Sequence, residues 1–196
     1  MTGCLAVTCR PISGAPDHEG LAIVSVSIAA LAGALVLMVV ELVVSRANEH
    51  RLFGQGAVAP PDEAYSTMRW AYPGAFVAMA AEGVVMDAAP GPAMWIGVAL
   101  FAAAKVLKTW AIASLGHRWT YRVLVLRGAP LVTHGPYRHM KHPNYVGVAG
   151  ELIGMALITG ARVTGPLATA FFVWLLRRRI AAEERALGMR EPARSR

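Results

Sequence analysis

The sequence predicts an all-α fold: an integral membrane bundle of about five transmembrane helices, with a long polar loop and a C-terminal helix on its cytoplasmic side. Three observations carry this. Of the 196 residues, 56% are hydrophobic and only 16% charged, with a mean hydropathy of +0.46, too apolar for an ordinary soluble domain of this length. The apolar residues gather into runs close to the roughly 20 needed to cross a bilayer. Lys and Arg accumulate in alternate loops, as membrane topology requires.

Residues 1–20 are small, polar and turn-forming and lack the basic start of a secretory signal; they are expected to form a disordered leader. Cys4 and Cys9, the two cysteines, both lie there, so the membrane core has no disulfide framework or cysteine cluster, and no metal is expected. Leu21 to Val44 is the clearest span, uncharged until Glu41. A second span runs from about Trp70 to Met86 and a third from about Ala93 to Leu115, joined into a hairpin by Ala89-Pro90-Gly91-Pro92. After a polar interval over 116–143, Asn144 to Thr159 and Val163 to Leu176 form a second tight hairpin around Gly160-Ala161-Arg162. No repeat is evident, so 21–188 reads as a single membrane domain followed by a basic tail over 189–196. Gly150 and Gly154 are small residues suited to helix packing, either within one chain or between two.

Charge orients the bundle. The segment 45–69 carries Arg46, Arg51 and Arg69; the interval 116–143 carries Arg118, Arg122, Arg127, Arg138 and Lys141; seven arginines follow from Arg177 onward. These belong in the cytoplasm, which puts the N-terminus outside and the C-terminus inside, and the plasma membrane is the expected location. The net charge of +7 therefore reflects topology. Nucleic-acid binding is not expected, because the arginines flank membrane segments and no soluble basic domain exists to hold a duplex.

Ionisable groups inside spans are costly and mark function or a partner. Glu41, Glu82, Lys105 and Glu151 stand out. Glu41 is near the cytoplasmic end, within reach of water and Arg46. Lys105 is closer to mid-span, and pairing with Glu82 across the hairpin is the structural expectation. Glu151 lies about two turns into the fourth helix, below the basic loop. Glu82 and Glu151 are also candidates for substrate binding.

The interval 116–143 is long for a plain connector. Arg122 to Leu126 alternates weakly and suits an extended segment, while Gly128-Ala129-Pro130 and Gly135-Pro136 make turns. His142-Pro143 ends one local conformation, and Asn144 is expected to cap a helix beginning at Tyr145. The amides of that helix start, beside Arg138 and His142, suit a carboxylate or phosphate; contact with lipid phosphates is the simpler use of the same cations. On the C-terminal segment, Arg179 and Glu183 are spaced to pair at i, i+4. Ile180, Glu184 and Leu187 share a neighbouring stripe, which turns Glu184 toward the protein, where it could hold an ammonium, and leaves Arg178 and Arg185 outward.

Gly135-Pro136-Tyr137-Arg138, then His142-Pro143-Asn144-Tyr145 and Gly147, then Arg179 with Glu183-Glu184 together resemble the isoprenylcysteine carboxyl methyltransferase family of integral membrane enzymes. The similarity covers 116–188 well. It extends more faintly through Glu41, Ser45, Asn48 and Gly56-Ala57, which are similar to a short bacterial branch whose members often act on long-chain alkylpyrones or alkylresorcinols. The resemblance implies a methyltransferase using S-adenosylmethionine that reaches the site from the cytoplasm, and a lipophilic acceptor that arrives through the membrane lipid. It implies that Gly135, Tyr137, His142, Tyr145 and Glu184 line the cofactor pocket, with Arg138 and Pro143 in the same loop, and that Arg179 and Glu183 lie at the reacting centre. The chemistry of the residues agrees. The cofactor needs a cation or amide nest, an acid and a flat wall, which Arg138 or His142, Glu184, and Tyr137 or Tyr145 supply.

Two positions depart from the pattern: Lys141 stands where an Arg is usual, reducing any bidentate contact to a point charge, and Tyr72 falls where a His is expected. Membrane sterol reductases, which carry a similar His-Pro-x-Tyr loop and use NADPH, are the rival enzyme class. The Arg-x-x-x-Glu-Glu ending favours methyl transfer to a carboxylate, enol or phenol oxygen. A non-catalytic membrane protein is the third reading.

Overall fold

A computed structural model describes residues 18–186 apart from 62, 87, 89, 90 and 127. Most of the expected leader, with Cys4 and Cys9, and the tail with Leu187 lie outside the described residues. Among the described residues, five α-helices make up the bundle: α1 over His18–Gly54, α2 over Glu63–Val85, α3 over Pro92–Leu115, α4 over Pro143–Thr159 and α5 over Thr164–Ala186. Of these, α1 from Val26 and α3 are each long and apolar enough to cross a membrane.

Helix boundaries depart from the apolar runs wherever a polar stretch contains no breaker. α1 continues ten residues past Val44, because neither Pro nor Gly occurs before Gly54, and Gly56 (φ +81°) then turns the chain. α2 starts seven residues before Trp70, directly after Pro60-Pro61, and carries Pro73 within it. α5 runs unbroken from the membrane segment into the arginine- and glutamate-bearing end. α1 begins at His18, so residues 18–20 belong to it rather than to the leader.

The outside of the bundle is more apolar than much of its inside. Val36, Val39, Val40 and Val43 of α1 are 55–63% exposed, and Trp95, Ile96 and Val106 of α3 are 61–69% exposed, which a hydrocarbon solvent favours and water does not. Met38, Phe76, Met79, Leu152, Met155, Phe172 and Leu175 form the interior cluster. Phe76 meets Tyr72 edge-on at 5.0 Å and Phe101 at 6.3 Å, and Tyr72 meets Phe172 at 5.4 Å.

α3 and α4 pack along nearly their full length through small residues. A Cβ on Gly97 would sit 2.8 Å from the Gly154 carbonyl oxygen, one on Gly154 would sit 2.8 Å from the Phe101 nitrogen, and one on Gly150 would sit 2.8 Å from the Ala104 Cβ. Gly150 and Gly154 therefore serve packing within the chain, bringing two backbones into direct contact.

The charges inside the spans do not pair as the hairpin suggested. Glu82 is at the end of α2, where its carboxylate accepts hydrogen bonds from the backbone N–H groups of Val163 (2.9 Å) and Thr164 (2.7 Å) and from the Thr164 hydroxyl (2.5 Å). It satisfies the amides that the start of α5 leaves unpaired. Lys105 instead bridges Glu41 and Glu151, each at 3.0 Å. The reason is placement along the helices: Glu82 is one turn from the end of α2, while Lys105 lies past the middle of α3.

Replacing Gly154 by Leu forces α3 and α4 apart, and overpacking of this kind costs ~1–3 kcal/mol. The expected result in detergent is a fall of about 5 °C in the thermal midpoint. Gly33→Leu, with open space around it, is the control and should leave the midpoint unchanged.

Candidate functional site

The C-terminal end of α1, the start of α4 and the end of α5 enclose the candidate site, and the long end of α1 organises it. Glu41, Ser45 and Asn48 follow one another at i, i+4 and i+7, so they share one stripe of the helix. Each holds the loop that leaves α3. Glu41 accepts from the Tyr121 hydroxyl (2.9 Å), Ser45 Oγ accepts from the Tyr121 N–H (2.8 Å), and Asn48 donates to the Trp119 carbonyl (2.8 Å). Further along, Val58 and Val125 exchange a pair of antiparallel backbone hydrogen bonds at 2.9 and 3.0 Å, which gives the expected extended segment over 122–126 its partner. Burial, and after it the Glu41 carboxylate, push the Tyr121 hydroxyl well above the ordinary range of a phenol, so it remains a donor.

Beneath this loop, four charges meet inside the bundle. Lys105 contacts Glu41 and Glu151 at 3.0 Å; Lys108 contacts Glu41 at 2.7 Å and Glu151 at 3.5 Å. Tyr72 donates to the second Glu151 oxygen at 2.5 Å. Two positive and two negative charges balance, and Glu151 and Lys108 are essentially inaccessible. Lys108 was invisible to a reading that looked for charges at mid-span, although its i, i+3 spacing from Lys105 places both on one face. Glu41 is held by these two lysines and Tyr121. Tyr72, at the position where a His was expected, occupies the same network.

The chain over 134–142 folds against the end of α3. Gly135 has φ +61°, and a side chain there would run into Ser114 Oγ, so this turn accepts only glycine. The 3-10 turn Gly135–Arg138 buries Pro136 and leaves Tyr137 half-buried and Arg138 exposed. Burial, assisted by the Glu183 carboxylate, pushes the Tyr137 hydroxyl well above the usual phenol range. α4 starts at Pro143, with His142 at the N-cap position and no side-chain cap. Pro at the first helical position needs no N–H partner and already has the helical φ, so Asn144 falls inside the first turn and does not cap the helix. Its Oδ1 is buried without a hydrogen-bond partner among the described residues.

α5 brings its acidic end to this same point. Glu184 Oε1 lies 3.3 Å from His142 Nε2, and Tyr145 donates to Glu183 at 2.6 Å. The His142 and Tyr145 rings are nearly parallel, 5.6 Å apart. Arg179, 7% exposed, donates to the Tyr121 carbonyl, with its guanidinium 5.7 Å from the Tyr65 ring centre and 5.9 Å from that of Tyr145. Met68 Sδ is 3.9 Å from Nη1. Arg178 is outward, over Trp174 at 5.1 Å. Glu184 thus faces the protein, as its helical stripe requires.

Of the residues that the sequence singled out, Tyr137, His142, Pro143, Tyr145, Arg179, Glu183 and Glu184 converge here, with Gly135 shaping the turn. Arg138 stands at the rim, Glu151 sits lower in the charge network, and Glu82 is at the far end of the bundle. A groove of about 810 Å³ opens at that far end between Val26, Met94, Leu157 and Thr169, and it contains none of the site residues.

Known proteins share sequence with this chain over the same region. Residues 95–189 match the model of the isoprenylcysteine carboxyl methyltransferase (ICMT) family. An uncharacterized protein of Bacillus subtilis, YpbQ, is 36% identical over 148 residues, covering 75% of this chain and 88% of that protein. An uncharacterized protein of Haemophilus influenzae is 24% identical over 148 residues, covering 75% of this chain and 86% of its own. No solved structure matches the chain. The matched region runs from α3 through α5 and holds most of the converging side chains, and with it the family's character as membrane-embedded methyltransferases: the chain belongs to the isoprenylcysteine carboxyl methyltransferase family.

Proposed function

We propose that this protein is an S-adenosylmethionine-dependent O-methyltransferase of the membrane, acting on a carboxylate, enol or phenol oxygen of a lipophilic acceptor such as an isoprenylcysteine or a long-chain alkylpyrone or alkylresorcinol. The observation that carries this reading is the meeting of His142, Tyr145, Glu183, Glu184 and Arg179 where α4 begins and α5 ends. The arginine-rich loops support a reading in which this end is cytoplasmic, the N-terminus is outside and the membrane is the plasma membrane.

The donor set fits the cofactor. Glu184 offers a carboxylate to an ammonium, with His142 as its present neighbour. His142 and the Asn144 N–H suit a carboxylate, since Pro143 has no N–H and the Tyr145 and Val146 N–H groups donate to the His142 carbonyl; the parallel His142 and Tyr145 rings form a flat wall, and Asn144 Oδ1 is a buried acceptor. S-adenosylmethionine, when bound, supplies an electrophilic methyl group on a sulfonium.

The chain's own residues then have to hold the acceptor oxygen in line and dry. Arg179, buried between Tyr65 and Tyr145, orients an oxygen anion. A carboxylate or acidic enol arrives ionised and needs nothing more. A resorcinol hydroxyl has to lose its proton as the bond to carbon forms, and Glu183, already accepting from Tyr145, or His142 receives it. Acceptors of the two kinds are thereby distinguishable by their dependence on Glu183.

Calorimetric titration of the detergent-purified protein should show binding of S-adenosylhomocysteine and none of NADPH; the reverse pattern would establish a reductase instead. Glu184→Gln should weaken S-adenosylhomocysteine binding by about tenfold or more, as expected for loss of a charge-assisted hydrogen bond, and unchanged affinity would remove Glu184 from the site. Arg179→Ala should lower turnover at least tenfold more than it lowers cofactor affinity, at about 1.4 kcal/mol per decade. Equal losses in both would contradict its assignment to the acceptor.

A further inference from the structure

Arg179 is the buried cation at the candidate reacting centre, and its direction depends on a contact from outside its own helix. The guanidinium donates to the backbone carbonyl of Tyr121. A carbonyl in a loop between two helices is an unsteady partner unless the loop is fixed, and here the same residue is held through both its backbone N–H and its side chain. The Tyr121 N–H donates to Ser45 Oγ at 2.8 Å, and its hydroxyl donates to Glu41 at 2.9 Å. Glu41 in turn is clamped by Lys108 at 2.7 Å and Lys105 at 3.0 Å. A continuous run of polar contacts therefore joins the charges of α1 and α3 to the arginine of α5 through Tyr121.

We propose that Tyr121 is a positioning residue for Arg179, anchored by Glu41 and Ser45, so that the intramembrane ion network sets the direction of the guanidinium at the reacting centre. Buried ion pairs seldom raise stability over apolar residues of the same shape, so an expensive cluster directly beneath the site is better understood by what it holds still. Glu41 cannot relax away from two ammonium groups in a low dielectric, which makes it a firmer hook for the phenol than water or a lone side chain. The Tyr121 ring packs against buried Trp119 at 5.2 Å, so the side chain supplies a rigid strut between the hook and its own carbonyl.

This inference rests on the reading of Arg179 as the group that orients the acceptor oxygen, but the anchor itself is measurable without any reaction. Tyr121→Phe removes one hydroxyl and leaves the ring, and Ser45→Ala removes the second hold; neither creates a buried charge. Phenylglyoxal modification of Arg179, followed by mass spectrometry on the detergent-purified full chain, should proceed about fivefold faster or more in Tyr121→Phe, the effect of losing one ordinary hydrogen bond. The thermal midpoint should fall by no more than about 2–4 °C, the effect of one lost hydrogen bond, the S-adenosylhomocysteine affinity should be unchanged, and the double variant should label faster still. With pentadecylresorcinol as acceptor, Tyr121→Phe should lower kcat about tenfold with little change in KM for the cofactor, as small misplacements of a reacting group do. Unchanged labelling of Arg179 in both variants would overturn the anchor. Failure of the wild-type chain to bind S-adenosylhomocysteine or to methylate would defeat the proposed function and leave the labelling result to judge the anchor alone.

Discussion

Four charges gathered inside the bundle impose the main constraint on its architecture. Glu41, Lys105, Lys108 and Glu151 come from three helices, and an unpaired ion in hydrocarbon costs several kcal/mol, so α1, α3 and α4 have to stand at the one rotation and height that lets all four meet. Apolar packing against lipid is too unspecific for this task, because a lipid tail is as good a neighbour for Leu as another Leu. The ion cluster supplies register, and Tyr72 adds α2 to the same point.

Once that register exists, the loop residues have fixed places to attach. The stripe Glu41, Ser45 and Asn48 on α1 receives Tyr121 and Trp119, and the loop held there meets Arg179. Glu82 does corresponding work at the other end, where its three hydrogen bonds fasten the start of α5 to α2. α5 is thus secured at both ends, and its acidic residues arrive beside His142 and Tyr145 at defined distances.

Much of this was legible in the residues themselves. The five apolar runs gave the five helices, because the run lengths and the Pro/Gly turns between them are local features. The meeting of the His142 loop with Glu184 was legible through the family resemblance and the helical stripe that turns Glu184 inward. Helix ends were less so: α1 and α2 extend into polar sequence because burial stops at the membrane edge but backbone hydrogen bonding does not. Pairing was the least legible. Nothing local distinguishes Glu82 from Glu41 or Glu151 as a partner for Lys105, since that depends on the relative heights of separate helices. Lys108 escaped notice for the same reason, and so did Tyr121, whose importance lies in one hydroxyl and one backbone carbonyl. α4 starts two residues earlier than expected, with His142 and not Asn144 at its N-cap, because Pro143 enters the helix and does not stop short of it.

The glycine contact between α3 and α4 also determines where the wall of this protein is shut. Backbones that touch at Gly97, Gly150 and Gly154 leave no width for an alkyl chain to slip between them, and the seam cannot breathe without breaking its contacts all along its length. A molecule dissolved in the bilayer that travels sideways to the end of α5 therefore has to pass another seam of the bundle, because the side where these glycines meet is shut.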